Sequence, residues 1–231
     1  MKYSRKHILN KRLKPVRTPD GISLYPVYIQ VIYQRKNYSF KSIIQTYYAI
    51  LDDIRNEDQM TMRSELEFLD AVLKFEFEKK SEKLEIVGFA DRFNHYRLSA
   101  IQQIELVLID KLKVFLGREY KEYFKIIDFE FLPGKLKLLL NAVKLLYPKI
   151  DEDYTYSRFR DAQQFLEVYK KTFPENRVGE FIRPSVFDWI SGDHLSVIKN
   201  VMKYNQGGNS NIDFEYLEEF DSLMKQVTIY R

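Results

Sequence analysis

The stretch LYPVYIQVIYQRKNYSFKS, residues 24–42, decides how the chain is read. One set of alternate positions collects Tyr25, Val27, Ile29, Val31 and Tyr33; the other collects Tyr28, Gln30, Ile32 and Gln34. Alternation with dense β-branched and aromatic side chains is the pattern of a half-buried strand. Arg35-Lys36-Asn37 reads as a turn, and YSFKSII (38–44) as the returning strand. A two-stranded hairpin is marginal in water and needs a third strand or a helix to cover it. Residues 45–55 are placed to supply that cover.

Downstream, from about residue 61, the period becomes helical. Met62, Leu66, Leu69, Leu73 and Phe77 form one stripe, and Ile101, Ile104, Leu108, Leu112 and Phe115 a second, with Gly117 as a stop signal. A third segment runs from Pro133-Gly134 to Pro148, and a fourth carries Phe159, Ala162, Leu166, Tyr169 and Phe173. Pro184-Ser185 opens another, with a break at Ser191-Gly192. NQGGNSN (205–211) reads as a loop before a last helix with Phe214, Leu217, Phe220 and Met224. TIYR at the end reads as a short strand or a frayed end. The expected fold is mainly α, a helical bundle, with a small N-terminal antiparallel β-hairpin or three-stranded sheet. Composition, charge and period all change at NEDQM (56–60), which divides a 1–56 module from a 61–231 helical domain.

Upstream, residues 1–20 are basic and contain Pro15 and Pro19, which suggests an extended arm ordered by a partner. The net charge of +4 conceals an uneven distribution. Residues 1–41 hold ten Lys and Arg against Asp20 alone, a net +9, so the rest carries −5. A basic head on an acidic body points to a polyanion such as DNA, or to an acidic protein surface, as the head's partner. The other reading is a solvated basic tail.

The hairpin region resembles the N-terminal arm-type DNA-binding module of tyrosine recombinases, the phage-type integrases of Bacteroidetes mobile elements. Pro26-Val27-Tyr28-Ile29-Gln30-Val31 matches the first strand of that module, Arg35-Lys36-Asn37 its basic turn, and Tyr38-Ser39-Phe40-Lys41 its second strand. The resemblance covers about 40 of the 231 residues. It implies DNA binding by a protein of a mobile element or phage. It does not extend to strand cleavage, which in that family needs an Arg, a His-x-x-Arg pair and a Tyr nucleophile. His7, His95 and His194 lack the Arg at that spacing, and Tyr230 has no such neighbours.

Physical chemistry gives roles to the residues of the head. A two- or three-stranded ribbon fits the major groove of B-DNA. Arg35, Lys36 and Lys41 at the turn face phosphates, and Arg5, Lys6, Lys11 and Arg12 follow the backbone by charge. Gln30 and Gln34 reach base edges, unless they are simply solvent-facing strand positions.

Other motifs carry less. Asp91 and His95 sit four apart, which suits a structural hydrogen bond better than a base or metal site. The acidic runs at 52–53, 151–153 and 218–219 lack calcium-loop spacing. No phosphate-cradling glycine motif is present, so no cofactor is expected. Trp189 suits a core anchor. The absence of cysteine excludes disulfides, thiol catalysis and cysteine zinc sites. No apolar run is long enough to span a membrane, and the opening residues lack a signal-like core, so a cytoplasmic, non-catalytic protein is expected. The alternative is an assembly subunit or homodimer whose basic head docks on an acidic partner.

Overall fold

A computed structural model of the protein describes residues 2–79, 88–124, 136–178 and 181–205, with Glu218, Asp221 and Ser222. Five strands come first: β1 (Tyr3–Leu9), β2 (Val16–Arg17), β3 (Ser23–Tyr33), β4 (Lys36–Lys41) and β5 (Tyr47–Tyr48). Helices follow: α1 (Asn56–Lys79), α2 (Phe89–Tyr96), α3 (Ala100–Glu119), α4 (Lys121–Phe124), α5 (Leu136–Leu146) and α6 (Tyr154–Thr172). The short pair β6 (Asn176–Val178) and β7 (Phe181–Arg183) precedes α7 (Val186–Ser191) and α8 (His194–Asn205). The fold is mainly α with an N-terminal antiparallel sheet. Two compact units divide the chain, residues 1–97 with 176–182 and residues 98–175 with 183–231.

In the first unit β3 is the common partner of every other strand in its sheet. β1 lies antiparallel to it from Tyr3↔Tyr33 to Leu9↔Val27, and β4 from Tyr28↔Lys41 to Tyr33↔Lys36. β2 and β5 take up the first residues of β3, pairing at Leu24 and Ser23, and at Tyr25 and Pro26. The change of partners falls at Pro26, which has no N–H to donate. Its carbonyl accepts from the Asn10 N–H at 3.0 Å.

Residues 3–9 are thus a paired strand rather than an extended arm waiting for a partner. Tyr3, Arg5, His7 and Leu9 share the covered side with Val27, Ile29, Val31 and Tyr33, and this alternation gives the segment a face to bury. The turn is also shorter than expected. It consists of Gln34 and Arg35, with φ of 50° and 63°, and Lys36 already pairs with Tyr33. Left-handed residues at both positions give a two-residue hairpin loop the twist of its strands.

α1 covers the sheet. Its buried line runs Asp58, Thr61, Glu65, Phe68, Leu69, Val72, Leu73 and Glu76. The expected Met62, Leu66 and Phe77 lie half-buried beside it, so the period is right and the face is rotated. Two glutamates occupy core positions because each is paired with an arginine. Arg92 bonds Glu76 through Nε and Nη2, both at 2.9 Å, and Tyr96 Oη donates to it at 2.9 Å. Phe40 of the sheet packs on Phe89 and Phe93 of α2, with ring centroids 5.9 and 5.1 Å apart. The change of composition at 56–60 marks the passage from sheet to helix, and the compact unit continues across it.

The second unit is helical. Ser99 caps α3, Asp153 caps α6, and Ser185 with Asp188 forms a capping box on α7, which ends at Gly192. α3 runs through Gly117 to Glu119. Its core combines Ile104, Leu108 and Leu112 with Phe159, Phe165, Leu166 and Tyr169 of α6. Trp189, 1% exposed, packs on Phe165 and Tyr169 as a core anchor. The loop expected at 205–211, the last helix and the terminal TIYR lie outside the described residues, save Asn205, Glu218, Asp221 and Ser222. Among the described residues no helix is long and apolar enough to cross a membrane.

Candidate nucleic-acid interface

Residues directly opposite in paired strands project on the same side. The register therefore sorts the outer face of β1, β3 and β4 into three rows: Ser4–Ile32–Asn37, Lys6–Gln30–Ser39 and Ile8–Tyr28–Lys41. Ile8, Tyr28 and Gln30 are half-buried and the other six are exposed. The nine positions include two lysines and no carboxylate. Gln30 lies at the centre, directly opposite Lys6.

The reverse side of the same strands is held to α1 by a buried carboxylate. Glu65 is 0% exposed and has four donors. Its Oε1 accepts from Ile43 N–H and Arg97 Nη1, both at 2.8 Å. Its Oε2 lies 2.9 Å from His7 Nε2 and accepts from Ser42 Oγ. Burial holds the Arg97 guanidinium below its ordinary pKa, against the opposing effect of Glu65. Nearby, Tyr3 and Arg5 both bond Asp70 of α1. Burial, with the bond to Asp70, pushes the Tyr3 hydroxyl up to about 12. These contacts fix the strand positions and so the spacing of the outer rows.

The expected contact residues separate accordingly. Lys6, Gln30 and Lys41 are brought together on the outer face. Arg5 lies on the opposite side and is engaged by Asp70. Lys36 pairs with Tyr33 and so belongs to that side as well, exposed at its end. Gln34 is in the turn, where its amide donates to Tyr33 Oη at 3.2 Å, and Arg35 is exposed beside it. Lys11 and Arg12 are exposed in the loop after β1, where the Arg12 N–H bonds Asn10 Oδ1. Sequence reading missed Ser4, Asn37 and Ser39; for Asn37 and Ser39 the signal is the position of the hairpin turn, which sets the β3–β4 register, and for Ser4 no local signal exists.

His194 is held among aromatic side chains of the helical unit. His194 stacks on Phe173 with centroids 4.0 Å apart and bonds Tyr169 Oη at 2.9 Å. Asp91 and His95 both lie on α2. Among the described residues no group of three or more His, Cys, Asp or Glu side chains is placed to hold a metal ion. The chain matches no protein-family model, no curated protein and no solved structure with which it was compared.

Proposed function

We propose that the first unit binds duplex DNA through the outer face of β1, β3 and β4, in a non-catalytic protein of a mobile element or phage. The observation that carries this reading is the acid-free outer face, with Lys6 and Lys41 on either side of Gln30. Three strands about 4.8 Å apart span roughly 10 Å between outer axes, within the about 12 Å of a major groove. Lys6 and Lys41 meet phosphates, and Gln30 meets a base edge. Arg35 at the turn and Lys11 and Arg12 in the loop extend the basic rim. The likeness of residues 26–41 to recombinase arm modules supports the mobile-element setting.

Fluorescence anisotropy with labelled duplexes across a salt series tests the reading. Lys6→Ala lowers the slope of log affinity against log salt by about one. Gln30→Ala reduces discrimination between sequences by about 1–3 kcal/mol. Absence of binding at low salt refutes it.

A second reading gives the helical unit a protein partner. α5 exposes Leu138 (60%) and Leu145 (82%) two helical turns apart. Leu145→Glu abolishes any stoichiometric complex formed through that side, measured by light scattering; an unchanged complex excludes α5.

A further inference from the structure

Next to the outer face, the first unit has a cleft of about 560 Å³ lined by Lys41, Ser42, Ile43, Gln45, Tyr47 and Arg97. Lys41 belongs to both, since it ends the row Ile8–Tyr28–Lys41. No carboxylate lines the cleft. The Ser42 hydroxyl and the Ile43 N–H are committed to Glu65, so that wall is fixed. Arg97 is fixed too, by Glu65 through Nη1, by Asn94 through Nη2, and by the Phe93 ring 5.5 Å away. A guanidinium has five N–H donors, and these contacts use two. The side chains of Lys41, Gln45 and Tyr47 have no partner among the described residues. Residues bearing an ammonium, an amide, a phenol and a guanidinium with spare donors therefore line one space.

We propose that this cleft holds a phosphodiester with its sugar, anchoring the duplex whose groove the outer face enters. Most protein–DNA hydrogen bonds go to phosphate and sugar oxygens from these side-chain types, and they set register rather than read sequence. The volume exceeds that of a single small ion, since one water takes about 30 Å³. The inference rests on the DNA-binding reading and assigns Gln45, Tyr47 and Arg97 to it.

The test uses the full chain with Gln45→Ala, Tyr47→Phe and the double variant, beside Lys6→Ala, all checked for unchanged thermal melting. The double variant weakens binding about tenfold, equally for unrelated duplex sequences. Its salt slope stays that of the parent because no charge is removed, whereas Lys6→Ala flattens the slope. Parental affinity in the double variant, with Lys6→Ala still weakened, overturns the cleft and leaves the outer face standing. No duplex binding by the parent protein overturns both. Inorganic phosphate, followed by NMR at the Gln45 amide, distinguishes sources. Shifts with phosphate and none with DNA reassign the cleft to a free anion and overturn the proposal.

Discussion

Replacing Gln34-Arg35 by Asn-Gly separates what the hairpin tip costs from what it contributes to binding. Both residues hold left-handed backbone, with φ of 50° and 63°. A residue with a side chain costs about 1–2 kcal/mol there, and glycine avoids it. Glycine loses more freedom on folding, which returns about 0.5–1 kcal/mol. Asparagine tolerates the left-handed region better than glutamine and adds a few tenths. The net gain is about 1 kcal/mol, or roughly 2–4 °C in Tm for a chain of this length. Urea melts of parent and variant measure it as a raised midpoint at constant slope. DNA binding moves the other way, because losing the Arg35 cation lowers the salt slope by about 0.9 if it meets a phosphate. A midpoint that stays or falls refutes the strain. An unchanged salt slope removes Arg35 from the interface and leaves the strain untouched.

Two further outcomes follow from the interior. Glu65→Ala strands Arg97, His7 and the Ile43 N–H, and costs about 3–5 kcal/mol in urea melts; a loss under about 1 kcal/mol shows that the strands relax around the vacancy. His194 supplies the pH dependence of the helical unit. Burial of the ring is the main cause holding its pKa below the usual 6.5; Arg183 lowers it further, and Asp188 and Asp193 oppose. The unfolded chain therefore takes up the proton first, so this contribution is complete above pH about 6.5 and declines as pH falls below it. Melts followed by Trp189 fluorescence between pH 8 and 5 show that decline, and His194→Gln flattens it. Matching pH curves for parent and variant refute the assignment.

The hairpin was legible because Val27, Ile29 and Val31 alternate with Tyr28 and Gln30 in a run dense in β-branched and aromatic side chains, and strand phase needs no tertiary knowledge. β1 was not, because Arg5 and Lys6 adjoin in the middle of it. The Arg5 charge is matched by Asp70, 65 residues away, which no local pattern announces. The stripe on α1 was rotated for the same reason. Glutamate ordinarily faces water, and distant partners, Arg97 32 residues on, His7 58 back, and Ser42 and Ile43 in the chain after β4, make position 65 a core position. The turn was misplaced because Gln34-Arg35 contains no glycine or asparagine to signal positive φ. Lys6, Gln30 and Lys41 were identified individually as surface cations and a polar strand residue. Their common face depends on β1↔β3 register, which the chain does not display along its length. Gln34, one strand period beyond Ile32, was drawn into the same set although the strand ends at Tyr33.

Because every strand in the sheet is bonded to β3, the assembly has no redundancy. A residue that cannot donate, such as proline at Ile29, removes one ladder bond and distorts the strand on which both β1 and β4 pair. The same lesion at His7 would cost one edge and leave the β3–β4 hairpin closed. Distortion between Val27 and Tyr33 therefore reaches two ladders and all three rows of outer side chains, while distortion at either edge reaches one ladder.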